Sequence, residues 1–412
     1  MRSPSFFRSR WVQRPEHVRE LEPTALPAGF LAAGVAAGLK PSGPDVGVLF
    51  SERPDTASAA RFTTNARVGA PVIASREAET HRLRAVVANS GGSNTGDGAR
   101  GLETARATQA LAAELLGIEP AQVGVASTGV IGIELPREPL LRGVRAAVAA
   151  LGPDSDGLSR AILTSDRGPK RACLEVSLPS GGVVRVAAQA KGAGMISPRY
   201  ATMFCFAQTD AAISAETLDL LTSVCVKRSF DRISVDGQLS TSDTVFVLAG
   251  GASGVRIEPE TPDELSFGEA LDALMRQLAL EIVADGEGAR RVGRIVVRGA
   301  PERVEPVARA VANSPLVKAA LHGGDPNFGR ILQAAGMAYP AGGGFPADLE
   351  IEGRQVVSGG ESTVSDLRSL EELVQREEVE YVLTVPGSGG ETEVFFSDLS
   401  PEYVRFNAEY TS

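Results

Sequence analysis

The 412 residues are 43% hydrophobic and 22% charged, close to the averages of folded globular chains, which excludes fibrous and disordered classes. Forty-one basic against 51 acidic side chains leave a formal charge of −10, and with no basic stripe in the sequence a nucleic-acid partner is not expected. Cys173, Cys205 and Cys225 and three histidines are too few for a disulfide framework or a thiolate zinc site, and they fit a reducing, cytoplasmic setting. No apolar run approaches the roughly 20 residues of a membrane-spanning helix.

A chain of this length outgrows one hydrophobic core, so two lobes are expected. The opening stretch, MRSPSFFRSRWVQR, carries four arginines and no acid. Transit peptides share that pattern, and residues 1–25 are expected to be a flexible leader ahead of Leu26. Beyond it, extended and helical signals alternate as in an α/β protein. Strands are predicted at 84–89 (RAVVAN) and 123–127 (VGVAS). Between them Leu102, Ala105, Leu111 and Leu115 share one face of a helix that stops at Gly117. ACLEVSL and VVRVAAQ flank PSGG at 179–182 and read as a hairpin. A strand TMFCFA (202–207) follows, then TVFVLAG (244–250) and a helix over 269–284 ending near Gly286. The loops AGGGFPA (341–347) and PGSGG (386–390) read as turns between strands.

The common nucleophile–base motifs are missing: there is no GxSxG elbow, Walker loop or HExxH helix, and His17, His81 and His322 lack any supporting motif for a triad. A hydroxyl can be activated without histidine. If the bond before a threonine is cut, the new α-amine, with an unperturbed pKa of about 7.7–8.0, can serve as base for the same residue's hydroxyl. KGAGMISPRYAT, 191–202, supplies the ingredients for such a cut. Gly192 and Gly194 permit unusual dihedrals, Pro198 restricts its neighbours, and Ala201 leaves the carbonyl in front of Thr202 unhindered. Taken alone, the stretch reads more readily as a loop entering a buried strand. The chemistry also needs donors aimed at a developing oxyanion, and VGVASTGVIG (123–132) offers a strand running into a tight turn with Ser127, Thr128, Gly129 and Gly132.

Taken together with AGFLAAGVAAGLK, FTTN, AILTSD, SVDGQLSTSDT, ADGEGA, NSPLVKAALHGGDPNFGR and the terminal YVRFNAEYTS, these segments carry a family resemblance. From about Leu26 to Ser412 the chain resembles the ornithine acetyltransferases of arginine biosynthesis, some of which are also glutamate N-acetyltransferases. The resemblance implies an α/β fold of two-lobed, layered sheets and helices, of the DmpA/ornithine-acetyltransferase type. It also implies self-cleavage between Ala201 and Thr202, giving an α chain that ends at 201 and a β chain of 202–412. Thr202 would then carry acetyl from N-acetyl-L-ornithine to L-glutamate in a ping-pong cycle.

The family's oxyanion pair falls on Thr128 and Gly129, and its substrate contacts on Thr164, Lys191, Thr202, Glu287, Asn407 and Ser412. No metal or organic cofactor is expected for the transfer, acetyl-coenzyme A is allowed as a further donor, and an assembly of two α and two β chains is implied. Without the resemblance, Lys191 would read as a solvated charge, Glu287 as a surface residue and Asn407 as a capping or turn residue. The chain departs from the family pattern at Tyr200 for methionine, at TSDRG (164–168) with its Arg167, at Phe328 for tryptophan, and at Ser412 for threonine. The alternatives are a paralogous transacylase or amidase on the same scaffold, or an uncut chain with a binding role.

Overall fold

The computed structural model describes residues 5–197, 203–339 and 344–409. Its first lobe stacks two sheets face to face. One has four strands in the order Phe30–Val35, Val46–Ser51, Ala85–Asn89, Val123–Ser127. The other has six, in the order Val18–Glu20, Lys170–Ser177, Val183–Lys191, Phe204–Thr209, Thr244–Ala249, Ala57–Phe62.

Successive side chains of a strand point to opposite faces, and both faces of both sheets are used here. Val86, Ala88 and Ala126 meet Phe204, Phe206 and Phe246 in the core between the sheets. The alternate residues Val87, Val123 and Val125 pack under the helices Ala70–Glu77, Gly98–Leu116 and Arg137–Ala149. Cys205, Ala207, Val245 and Val247 pack under Ala215–Arg228 and Pro262–Ala284. The layers run helix, sheet, sheet, helix, and burial on both faces is why these strands read as unbroken apolar runs. Gly124 leaves room for an aromatic: a Cβ there would fall 2.8 Å from the Phe246 ring.

The helix predicted to stop at Gly117 does so, with that glycine left-handed at φ 66° and its N–H on Ala113 O. The long helix predicted from 269 starts two turns earlier, at Pro262, where the Thr261 side chain accepts the Glu264 N–H; such caps contribute about 1 kcal/mol. The PSGG hairpin joins Lys170–Ser177 to Val183–Lys191 in antiparallel register.

A second lobe holds a seven-stranded sheet in the order Ile233–Ser234, Gly390–Ser397, Val292–Gly299, Glu378–Thr384, Asp348–Ile351, Arg354–Ser358, Glu361–Ser362. With the helices Pro301–Ala312, Pro315–Gly323 and Gly329–Met337 it encloses its own core, which Phe328 flanks. The departure from tryptophan at that position is therefore a packing change within this lobe.

One expectation is corrected. Over the described residues 5–25 the leader is part of the folded body. Val18–Glu20 pairs with Leu174–Val176 at the sheet edge, Val12 and Val18 are buried, and the Trp11 ring lies 5.4 Å from Phe395. Its arginines meet acids of the body, Arg8 with Glu281 and Arg10 with Glu352. Matched charge and three aromatic side chains, invisible to a net-charge reading, hold the segment down. Among the described residues no helix is long and apolar enough to cross a membrane.

Candidate active site

Thr128 and Gly129 follow the strand Val123–Ser127, whose end is pinned to the neighbouring strand. Ser127 Oγ donates to Asn89 Oδ1 at 2.6 Å, and the Thr128 N–H donates to Asn89 O at 3.0 Å. Gly129 has φ 122°, and a Cβ there would lie 2.6 Å from the Gly91 carbonyl carbon. Only glycine fits such a backbone approach, so the turn is held in one place.

Lys191 ends the strand Val183–Lys191, opposite Phe204, and is 2% exposed. Its Nζ donates to Thr164 Oγ1 at 2.8 Å and to Thr128 Oγ1 at 3.2 Å. An ammonium can only donate, so the Thr128 hydroxyl accepts here and its own proton is left to point elsewhere. Donation into that oxygen also polarises the O–H, making it a better donor to a carbonyl oxygen in the cavity.

The charge on Lys191 is held in a row of alternating sign. Burial pushes its pKa down, Asp166 opposes this, and Lys170 adds to the lowering. For Asp166, burial acts upward but is outweighed by Lys170, Lys191 and the Gly192 N–H, so its carboxyl titrates well below the usual range. Lys170 Nζ reaches Asp166 Oδ1 at 2.7 Å and Asp285 Oδ2 at 2.6 Å; these two partners overcome burial and raise its pKa. Asp166 also accepts the N–H groups of Gly192 (2.7 Å) and Thr164 (3.1 Å). It thus fixes the backbone of Thr164 and of the residue that follows Lys191.

Glu287 sits on the turn after the long helix. Its Oε1 accepts from Ser165 Oγ at 2.7 Å, and its Oε2 from Asn407 Nδ2 at 2.8 Å. A Cβ on Gly194 would fall 2.5 Å from that Oε1, so the glycine lets the carboxylate lie against the loop. Arg167, expected near a substrate contact, bonds Gly286 O and Ala289 O instead, bracing the turn that carries Glu287.

Thr128, Gly129, Thr164, Lys191, Glu287 and Asn407 all line one cavity of about 160 Å³, whose wall also includes Asp236 and Tyr403. They come from separate segments of both lobes. A larger cleft, about 640 Å³, opens where Arg8, Lys170, Glu281 and Asp285 meet. These charges are paired, Arg8 with Glu281 and Lys170 with Asp285, and none of the six predicted residues lies there. Ala201, Thr202 and Ser412 lie outside the described residues. Met203, directly after Thr202, is buried.

Sequence reasoning missed Asp166, Lys170, Asp236 and Asp243. Asp236 accepts the N–H groups of Met195 (2.6 Å) and Ile196 (2.9 Å), shaping the loop after Lys191. A signal was present: SVDGQLSTSDT sets two acids in an otherwise uncharged Ser/Thr/Gly stretch. His322 bonds Asp398 at 2.7 Å and His17 bonds Ser266 O. Neither lines the cavity.

The ArgJ family's sequence model matches residues 31–412. The arginine biosynthesis bifunctional protein ArgJ of Symbiobacterium thermophilum is 41% identical over 392 residues, covering 93% of this chain and 97% of that protein. The glutamate N-acetyltransferase of Methanocaldococcus jannaschii is 40% identical over 404 residues, covering 94% and 98%. The crystal structure of arginine biosynthesis bifunctional protein argJ from Bacillus halodurans is similar at 31% identity and a TM-score of 0.47, over 50% of this chain and 98% of that one. With the family model matching residues 31–412 and relatives about 40% identical over more than nine-tenths of the chain, the chain belongs to the ArgJ family.

Proposed function

We propose that this chain is an acetyltransferase of arginine biosynthesis that moves acetyl from N-acetyl-L-ornithine to L-glutamate on a threonine exposed by its own cleavage. The observation that carries the reading is the convergence of Thr128, Gly129, Thr164, Lys191, Glu287 and Asn407 on one cavity. That cavity adjoins Lys191, whose register partner Phe204 begins the strand two residues after Thr202.

In the cut, Thr202 Oγ attacks the Ala201 carbonyl, the C–N bond breaks and the hydroxyl proton passes to the departing nitrogen. Water then hydrolyses the ester, leaving the Ala201 carboxylate and the free Thr202 hydroxyl. In turnover, the α-amine of Thr202 takes the hydroxyl proton as Oγ attacks the acetyl carbonyl, and returns it to the leaving amine of ornithine. Thr128 Oγ1–H and Gly129 N–H face the developing oxyanion, where one such donor is typically worth about 10²–10³ in rate. Lys191 pairs with a substrate carboxylate, and Glu287 with Asn407 holds an ammonium group. Ser412 is a further substrate contact that the resemblance implies. Glutamate then takes the acetyl group from Thr202.

The transfer uses no metal or organic cofactor, acetyl-coenzyme A is a further donor, and the cut halves assemble as two α and two β chains in the cytoplasm. Two measurements test the reading. Intact mass under denaturing conditions should give two fragments meeting at Ala201 and Thr202 in wild type and one uncut chain in Thr202→Ala. The cut protein should form acetylglutamate as acetylornithine is consumed; consumption without acetylglutamate would favour the amidase alternative and reject this one.

A further inference from the structure

We propose that Asp243 is the seat of the α-amino group that cleavage before Thr202 creates, holding that amine as its counter-ion and orienting it toward the Thr202 hydroxyl. This rests on the cleavage reading above and adds a positioning residue to it. Asp243 immediately precedes the strand Thr244–Ala249, which lies parallel to Phe204–Thr209 with Thr244 opposite Phe204, and it is 1% exposed. Its Oδ1 accepts the Met203 N–H at 3.1 Å. Its Oδ2 is buried without a hydrogen-bond partner. The hydroxyls of Thr63 and Ser240 stand beside this carboxyl, Thr63 Oγ1 donating to Ser240 O at 2.6 Å and Ser240 Oγ lying 3.4 Å from Ser242 Oγ.

A buried carboxylate oxygen with no donor costs about 1–3 kcal/mol or more, and native structures rarely leave one so. Covalent geometry says what is nearby. The nitrogen of Thr202 is three bonds from the nitrogen of Met203, which standard bond lengths limit to a separation of about 3.7 Å. A carboxylate gripping the Met203 N–H is therefore within reach of the Thr202 nitrogen as well. Before the cut that nitrogen is an amide with one proton. Afterwards it is an amine that can carry positive charge and up to three donors.

The charges fit this sequence of events. Burial pushes the Asp243 carboxyl well above the usual range, against the Met203 N–H, the hydroxyls of Thr63 and Ser240 and the charge of Lys191. Lys191 is in turn faced by Asp166, Lys170 and Glu287. Before the cut, then, burial favours the neutral carboxyl over a lone buried anion. When the bond breaks, the proton of Asp243 passes to the new amine, giving a carboxylate–ammonium pair that shares one proton. With that proton on Asp243, the amine is neutral and can accept the proton of the Thr202 hydroxyl. The pair titrates as a unit.

The experiment compares wild type with Asp243→Asn, in which the amide oxygen can still accept the Met203 N–H. Cleavage half-time is followed by intact mass, and the pH dependence of kcat/KM is measured on the cut protein. We expect cleavage to slow by on the order of tenfold or more, and the acid limb of the profile to move down by about one pH unit as the amine loses its anion and keeps Lys191. An acid limb that stays in place overturns the proposal, whatever happens to the half-time. Wild type that remains uncut at 201–202 rejects the cleavage reading, and this proposal with it. Where the variant fails to fold or to mature, the α-amine is titrated by NMR in mature wild type labelled with ¹⁵N-threonine. A midpoint at or above the free α-amine's ~7.7 supports the pairing, and a lower one overturns it.

Discussion

Replacing Asp166 with asparagine tests the charge row directly. Asp166 is fully buried, bonds Lys170 Nζ at 2.7 Å and two backbone N–H groups, and is the main charge opposing the loss of the Lys191 proton. The amide keeps the shape but leaves Lys170 with only Asp285 as an ion-pair partner, and Lys191 with Asp243 and Glu287 as its remaining acids. Breaking one side of a buried ion pair typically costs about 3–5 kcal/mol. With an unfolding entropy of about 2.1 cal/mol/K per residue, that corresponds to a fall of about 4–6 °C in Tm for a chain of this length.

The pH dependence follows from the sign of the shift. The folded-state pKa of Asp166 is depressed, so its stabilisation is fully present above the unfolded carboxylate's ~3.9 and fades only as pH falls below it. The difference in Tm between wild type and variant should therefore be flat from pH 7 to 5 and shrink in stronger acid. In turnover, the variant should lose affinity for acetylornithine at neutral pH and regain part of it at lower pH, where Lys191 is recharged. Calorimetry and KM–pH profiles are the assays. An unchanged Tm together with an unchanged KM profile would refute the coupling between Asp166 and Lys191.

Three further outcomes can be checked. Thr128→Val should lower kcat by about 10²-fold or more with little change in KM, because an oxyanion donor acts mainly in the transition state; steady-state kinetics decides it. Arg167→Ala should raise KM for acetylornithine several-fold with a Tm change of only about 1–3 °C, since it frees the Glu287 turn at the cost of two half-buried hydrogen bonds worth about 0.5–1.5 kcal/mol each. Lys318 is buried against Ser397 O, and burial lowers its pKa to about 8 despite Asp236 and Asp398. A lysine with a lowered folded-state pKa penalises folding below that value, so wild-type stability should gain a component as pH rises from about 8 towards the free lysine's ~10.4. Urea titrations at pH 7 and 9.5 should show that gain in wild type and its loss in Lys318→Met.

The parts of the fold that were legible carry their own local signals. Gly117 ends a helix because only a left-handed residue closes it there, and PSGG turns a hairpin because its flanks alternate correctly. The early start of the helix at Pro262 was legible too, in Thr261 and Pro262, but apolar periodicity drew attention to later residues. The leader was misread because its arginines are matched by Glu281 and Glu352, hundreds of residues away. The site divides the same way. Thr128, Gly129, Thr164, Lys191, Glu287 and Asn407 came through family motifs, whereas Asp166 and Asp243 gain meaning only when the fold places Lys170, Lys191 and the Met203 N–H beside them.

The central sheet has a consequence for the life of the molecule. Phe204–Thr209 and Thr244–Ala249, from beyond residue 201, lie between Val183–Lys191 and Ala57–Phe62, from before it. While the chain is whole, these strands find one another as parts of a single polymer. Once it is cut at 201–202, the same pairing becomes an encounter between two molecules, set by their concentration. A matured protein that unfolds then has no direct way back in dilute solution, and its durability becomes a matter of how slowly it opens. A chain so cut would regain this sheet only where its two pieces meet.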